Sequence, residues 1–173
     1  MAVSRAKKDM FVNHALERIT MSAANTLTYQ QLNFGVGQFQ GVALVIHRIE
    51  YWISYATLQG LQATTDLIQI ALTQSSNLGD LNMTHPEIID EVLASGQGAS
   101  LEPHYVPGSN FTKDFTNLPG GGLLVAANPI FIGMTTAGMG AAGSADVKIY
   151  FTFKELADKD YIELIQSRIQ ANI

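Results

Sequence analysis

Cysteine is absent from the 173-residue chain, and charged side chains are scarce. The lack of cysteine excludes disulfide scaffolds, thiolate metal sites and cysteine nucleophiles. Charged residues make up 14% of the chain, where about 25% is usual for a soluble domain. Because so few charges cannot cover a surface evenly, we expect much of the surface to be neutral or to contact other subunits. The net charge of −5 also disfavours broad nucleic-acid binding.

Three of the ten basic residues, Arg5, Lys7 and Lys8, lie close together near the beginning of the chain. A basic tip of this kind can contact nucleic acid or a membrane, and a solvated terminus is the simpler interpretation. The first twenty residues have charges of both signs and no apolar segment. They therefore lack the pattern of a secretory signal peptide.

Apolar residues, at 47% of the chain, are numerous enough for a packed core, and the length fits one domain over residues 1–173. The strongest pattern has a period of two. It predicts a half-buried antiparallel strand over 146–154. Residues 42–53 are almost continuously apolar, which predicts a central strand with both faces covered. In the strand predicted over 146–154, the apolar face consists of Val147, Ile149, Phe151 and Phe153.

Three further segments have strand-like patterns. Residues 66–73 alternate, and 25–34 are more polar, as is typical of an edge strand. Residues 123–136 predict a strand that bends at Asn128 and Pro129, because proline cannot donate a hydrogen bond to a sheet.

Helix signals are fewer. Thr84 and Glu87 form a capping box, and Gly96 follows at a position where a helix would end. Together they predict a short helix over 85–94. Residues 155–170 are a second helix candidate within a 155–173 helix or tail. We expect residues 1–24 to form an arm or a helix. The glycine- and proline-rich stretch 95–122 predicts a surface excursion or an arm.

Together these elements predict a mainly β protein: a single antiparallel jelly-roll or β-sandwich barrel with one or two short helices. Residues 138–143 match the dinucleotide motif G-x-G-x-x-G, but a clear strand follows them where the motif needs a helix. They are therefore predicted to form a hairpin connection.

Metal binding by the strand over 42–53 is disfavoured. His47 and Glu50 share this strand at an odd offset, which predicts opposite faces and no shared metal. His47 is therefore predicted to be a hydrogen-bonded strand residue. We expect no cofactor, metal or enzymatic activity.

Charges on a central strand are costly unless they are paired or exposed. Arg48 and Glu50, beside Trp52, therefore predict either a seam between subunits or an ordinary pair on a solvated face. We take aromatic residues of the 95–122 excursion as further candidate contacts between subunits. These are Tyr105, Phe111 and Phe115.

A membrane interpretation also exists for the uncharged region 115–145. Its stretch 123–143 is long enough for a membrane span. The interruption at Asn128 and Pro129, and the glycines that follow, favour two buried strands instead.

The closing strands LLVAANPIFIGMT and ADVKIYFTFKEL, with VALVIHRIEYWI before them, resemble the single jelly-roll capsid proteins of tail-less icosahedral viruses. The small major capsid proteins of sphaerolipovirus-like viruses are similar in length. The resemblance covers 25–155 and implies a non-catalytic subunit that assembles into a shell, with itself and in some cases with a second capsid protein.

The resemblance further implies a virion protein made in the host cytoplasm. Its basic tip would then face the genome or an inner membrane, and no small-molecule substrate is expected. Three alternatives remain: a β-sandwich binding module, such as a lectin-like or cytokine-like trimer; a cupin-like enzyme, for which the histidine spacing is unsuitable; and a membrane-active protein.

Overall fold

The computed structural model describes residues 12–32, 34, 42–96, 110–126, 129–157, 159–160 and 162–164. These residues form two antiparallel sheets, which confirms the predicted mainly β fold. The strands are β1 (Asn13–Thr20), β2 (Thr28–Gln31), β3 (Val42–Ile53), β4 (Leu67–Thr73), β5 (Ile88–Ser95), β6 (Asn110–Asp114), β7 (Leu123–Ala126), β8 (Phe131–Ala137) and β9 (Ser144–Glu155), with one short helix, α1 (Tyr55–Gln59), after β3. Residues 159–160 and 162–164 are also helical.

The strand order follows a nested pattern. The five-stranded sheet has the order β1-β9-β3-β6, with β7 also paired to β3, and the four-stranded sheet has the order β2-β8-β4-β5. Strands β6 and β7 occupy one position, because they pair with successive parts of β3. The first strand therefore pairs with the last, the second with the second last, and so on inwards to β4 and β5.

The core lies between the two sheets, where alternate side chains of each strand face inwards. Its largest fully buried side chains are Ile19, Leu44, Ile46, Ile49, Tyr51, Ile68, Ile70, Leu72, Ile130, Ile132 and Phe151. The predicted strands over 42–53, 66–73 and 146–154 are present and supply most of this core. The predicted edge strand is also present, as β2 at one edge of the four-stranded sheet.

A β-bulge at His47 divides β3 into two halves. Ile46 pairs with Phe151 and Arg48 pairs with Tyr150, so His47 is an extra residue with no partner of its own on β9. Beyond an extra residue, the alternation of the strand is shifted by one position. The residues that would otherwise have faced outwards then face inwards. His47 and Glu50 therefore share the outer face, and the prediction that their odd offset separates them is wrong.

The outer face of β3 is also less covered than expected. Glu50 is half-buried and Trp52 is 43% exposed. The prediction that both faces of this strand are covered therefore fails at Trp52, although Ala43, on the same outer side, is fully buried.

The predicted helix over 85–94 is wrong, because this segment forms a turn followed by β5. Its apolar residues satisfy a helical spacing, but Asp90 and Val92, which are buried, and Ala94, which packs against the core, also alternate. Pairing with β4 satisfies the backbone hydrogen bonds of the segment and decides between the two patterns. Helix α1 was not predicted from the sequence, although Ser54 caps it by accepting a hydrogen bond from the Thr57 amide.

Other boundaries also differ from prediction. The region 1–24 contains the strand β1, rather than only a helix or an arm, and 95–122 contains β6. The region 123–136 is not one bent strand but two strands, β7 and β8, in different sheets. Residues 138–143 join β8 to β9, which also lie in different sheets, so they form a connection between sheets and not a hairpin. Within the predicted tail 155–173, helical structure is described only over 159–160 and 162–164.

The outer face of the four-stranded sheet is covered by the β4–β5 connection, residues 74–87. Leu81 of this connection is fully buried and packs in a small cluster with Ala71 and Ile88. It sits directly over Gly133 of β8, where an added Cβ would lie 2.7 Å from Leu81 Cδ2 and 3.0 Å from Tyr29 Cε1. Glycine is thus required at this position to let the cover approach the sheet.

Candidate functional site

Where β1, β9, β3 and β6 lie side by side, the five-stranded sheet presents a polar outer surface, which we call the open face. Its residues lie in three rows that cross the strands β1, β9, β3 and β6 in that order. The first row is His14, Tyr150, Arg48 and Asp114; the second is Leu16, Lys148, Glu50 and Thr112; the third is Arg18, Asp146, Trp52 and Asn110. The described residues place no cover over this face of the kind that 74–87 provides on the other sheet.

The centre of the open face is the ring of Tyr150. The guanidinium of Arg48 lies 4.2 Å from the ring centroid, and the Lys148 amine lies 4.8 Å from it. Hydrogen bonding to Lys148, followed by that to Arg48, lowers the pKa of the Tyr150 hydroxyl. The two cations thus occupy the ring that a stacked ligand would otherwise use.

Ion pairs order the charged side chains around this ring. Arg48 Nε lies 3.1 Å from Glu50 Oε1, although the N–H is not aligned for a hydrogen bond. Arg18 donates two hydrogen bonds to Asp146, from Nε at 2.8 Å and from a terminal nitrogen at 2.9 Å. Such pairs stabilise an exposed surface little, but they fix the positions of its charges.

The open face is electrically balanced. Its positive side chains are Arg18, Arg48 and Lys148, and its negative ones are Glu50, Asp114 and Asp146. The six charges sum to zero, whereas the whole chain has a net charge of −5. Two apolar side chains interrupt the polar surface: Leu16 is 54% exposed and Trp52 is 43% exposed.

His47 lies beside the open face at the bulge. Its Nδ1 is 2.8 Å from the Gly121 carbonyl oxygen, and its Nε2 is 3.1 Å from Thr152 Oγ1. The backbone carbonyl of His47 accepts a hydrogen bond from the Phe115 amide. His47 thereby holds the β6–β7 connection where that connection leaves the sheet, which confirms its prediction as a hydrogen-bonded strand residue.

A second polar group lies inside the sandwich and was not predicted from the sequence. The Tyr51 hydroxyl donates a 2.9 Å hydrogen bond to Asp90 Oδ2, and Lys113 Nζ lies 3.4 Å from Asp90 Oδ1. Burial, followed by the negative charge of Asp90, raises the pKa of Tyr51 well above its ordinary value. This group joins β3 to the edge strands β5 and β6, so its role is to hold the sheets together.

The predicted contact residues divide into three groups. Arg48, Glu50 and Trp52 come together on the open face. Phe111 and Phe115 are half-buried and pack against the core, so only part of each ring is accessible. The remaining four, Tyr105, Arg5, Lys7 and Lys8, lie outside the described residues.

Two other classes of site are absent from the described ranges. These ranges contain no group of three or more His, Asp or Glu side chains able to hold a metal ion. Among them there is also no helix of the length and apolar character that crossing a membrane requires.

No family model matches the chain, and no curated protein matches its sequence.

Proposed function

We propose that this protein is a single jelly-roll capsid subunit of a tail-less icosahedral virus, with a structural and non-catalytic role. The observation that carries the proposal is the nested pairing of β1 with β9, β2 with β8, β3 with β6 and β7, and β4 with β5. A chain that doubles back on itself in this way and forms two sheets supports a jelly-roll arrangement, which viral capsid proteins use widely.

The edges of the sheets support assembly into closed particles rather than fibres. Exposed edges promote uncontrolled pairing unless they are short or have charges that point inwards. Strand β2 has four residues and β6 has five. Strand β5 has Asp90 on its inner side, and β1 has Glu17 at an inward-facing position between Ala15 and Ile19. We therefore expect subunits to join through faces and loops instead of edges.

The surface chemistry supports the same role. The partner is a further copy of this chain, in some assemblies with a second capsid protein, and the protein resides in the virion. Shell contacts must be individually weak so that assembly errors reverse, and a polar face with paired charges provides contacts of this strength. Contact of the genome or an inner membrane with Arg5, Lys7 and Lys8 stays a prediction.

A β-sandwich binding module is the second candidate, and one observation favours it. Trp52 and Tyr55 are both exposed near the end of β3, at 43% and 74%. Exposed aromatic side chains are typical of surfaces that bind sugars or proteins. Saturable binding to a glycan array by a protein that stays monomeric would favour this candidate.

Light scattering over a range of protein and salt concentrations, with negative-stain imaging of the same fractions, tests the proposal. We expect discrete oligomers that convert to shells or curved sheets. A strict monomer under every condition, also when mixed with candidate second capsid proteins, would contradict the capsid function.

A further inference from the structure

We propose that the open face binds the open face of a second copy of the chain, about a two-fold axis that runs along the strands between β9 and β3. This inference deepens the proposed capsid function and rests on it, because it names the surface through which two subunits pair. A two-fold contact of this kind uses the same residues on both subunits.

The arrangement of charges on the open face is self-complementary about this axis. Rotation about it brings each β9 residue opposite the β3 residue of the same row in the second copy. Lys148 then faces Glu50 of the second copy, and Tyr150 faces its Arg48. On the outer strands, His14 faces Asp114 of the second copy. Opposite charges therefore meet in the second row, and in the first row the His14 imidazole faces a carboxylate that can accept its hydrogen bond.

The alternative axis, perpendicular to the strands along the second row, is unfavourable. It would place Lys148 against the same residue of the second copy, and Glu50 likewise. Like charges in contact across an interface repel each other, and the axis along the strands avoids that repulsion. The charge pattern thus favours the axis along the strands over this alternative.

The overall charge of the protein adds a second argument. Two copies of a chain with a net charge of −5 repel each other over most of their surfaces. The six charges of the open face sum to zero, so this surface can approach its own copy without that repulsion. It also includes Trp52, a large, partly exposed side chain of a type enriched in the centres of interfaces.

Trp52 provides a direct test, because it is the only tryptophan in the chain. Its fluorescence, with acrylamide as the quencher, is measured over a protein concentration series while sedimentation reports the oligomeric state. We expect a blue shift and a loss of quenching that follow the fraction of associated protein, since the second copy covers Trp52.

Two charge reversals make the test more specific, because they separate contacts within a chain from contacts between chains. Glu50→Lys and Lys148→Glu are each expected to weaken self-association by about tenfold or more, since each places like charges across the axis. Mixing the two variants restores opposite charges at the contacts between chains. The charge pairs within each altered chain stay disrupted. We therefore expect the mixture to associate where neither variant does alone.

The matched controls are Lys159→Glu and Glu163→Lys, which reverse an exposed ion pair beyond β9. They are expected to associate like the unaltered protein. Circular dichroism establishes that each variant folds, and Leu16→Lys, at an exposed position of the same face, replaces either reversal that does not fold.

The outcomes distinguish this inference from the proposed function. Association that leaves Trp52 fully quenchable, or a mixture that stays monomeric, would overturn the face-to-face contact and leave the capsid function standing. Absence of association under all conditions would contradict both. Shielding of Trp52 by a glycan, with the protein still monomeric, would overturn this inference in favour of the binding module.

Discussion

The two sheets differ in how far their outer faces are covered. The four-stranded sheet is covered by its own chain, because residues 74–87 fold back and bury Leu81 over Gly133. The five-stranded sheet has no such cover in the described residues and presents paired charges around Tyr150. An apolar outer face needs a permanent cover to stay out of water, whereas a polar face with ordered charges is stable in water and available for binding.

This contrast predicts whether a substitution in each region changes folding or association. Changes to the covered face act on folding, since its contacts are buried and close-packed. Changes to the open face act on association, since its contacts within the subunit are exposed and weak. Four measurements test this division, and their expected effects decrease from the first to the last.

The largest effect is expected for Leu81→Ala. Removing this fully buried side chain leaves a cavity under the 74–87 cover, which lowers the free energy of unfolding by about 2–5 kcal/mol. The matched control, Leu16→Ala on the open face, removes the same atoms from a 54% exposed position and is expected to change it by about 0.5 kcal/mol at most. Urea unfolding measures both. Equal effects would show that the open face is as structural as the covered one.

Tyr51→Phe is expected to have the next largest effect. It leaves the buried Asp90 carboxylate without its 2.9 Å hydrogen bond, a loss of about 1–3 kcal/mol in the free energy of unfolding. Tyr150→Phe makes the same chemical change on the neighbouring strand, but on the open face, and its effect on thermal unfolding should be clearly smaller. A ranking in the opposite order would be inconsistent with the division.

High pH should weaken the contacts inside the sandwich. The pKa of Tyr51 is raised in the folded protein, mainly by burial, above its ordinary value of about 10. The stabilisation from neutral Tyr51 is therefore complete below about pH 10 and is lost as the pH rises from there towards the higher folded pKa. The midpoint of thermal unfolding, measured from about pH 8 to about pH 11, should fall less steeply in Tyr51→Phe.

The smallest effect is expected for Arg18→Ala, which removes the exposed ion pair with Asp146. The stability of the isolated subunit should stay within the error of the unfolding measurement, because exposed pairs are screened and contribute little. A large loss that persists at high salt would mean that this pair holds β1 to β9, and that the open face contributes to folding.

Most of the strands could be predicted from the sequence because they have long, regular patterns. Strands β3, β4 and β9 begin and end within two residues of the predicted ranges. Their alternation leaves only one reasonable structure. Strand β1 was missed because only Ala15 and Ile19 are buried in it, which is too weak a pattern to exceed that of an arm.

The composition of the open face could be predicted in part. Charges within a β-prone strand pointed to Arg48 and Glu50, but their partners on β9 and β6 depend on strand order, which has no local signal. The bulge did leave a signal in β3. Its buried residues change from even positions, Leu44 and Ile46, to odd ones, Ile49 and Tyr51, and a regular strand cannot bury both sets on one face.

The extra residue at His47 has a consequence for how the length of this chain can vary. Strand β3 has twelve residues and forms eleven pairs with β9, so a chain lacking residue 47 would keep every pair and leave each remaining side chain on its present face. Loss of the bulge can compensate for a deletion elsewhere in β3. Only the residues between the deletion and position 47 would then move to the opposite face of the sheet. Strand β3 can thus lose one residue and keep its pairing with β9. What the chain would lose with it is the imidazole that holds the β6–β7 connection through Gly121.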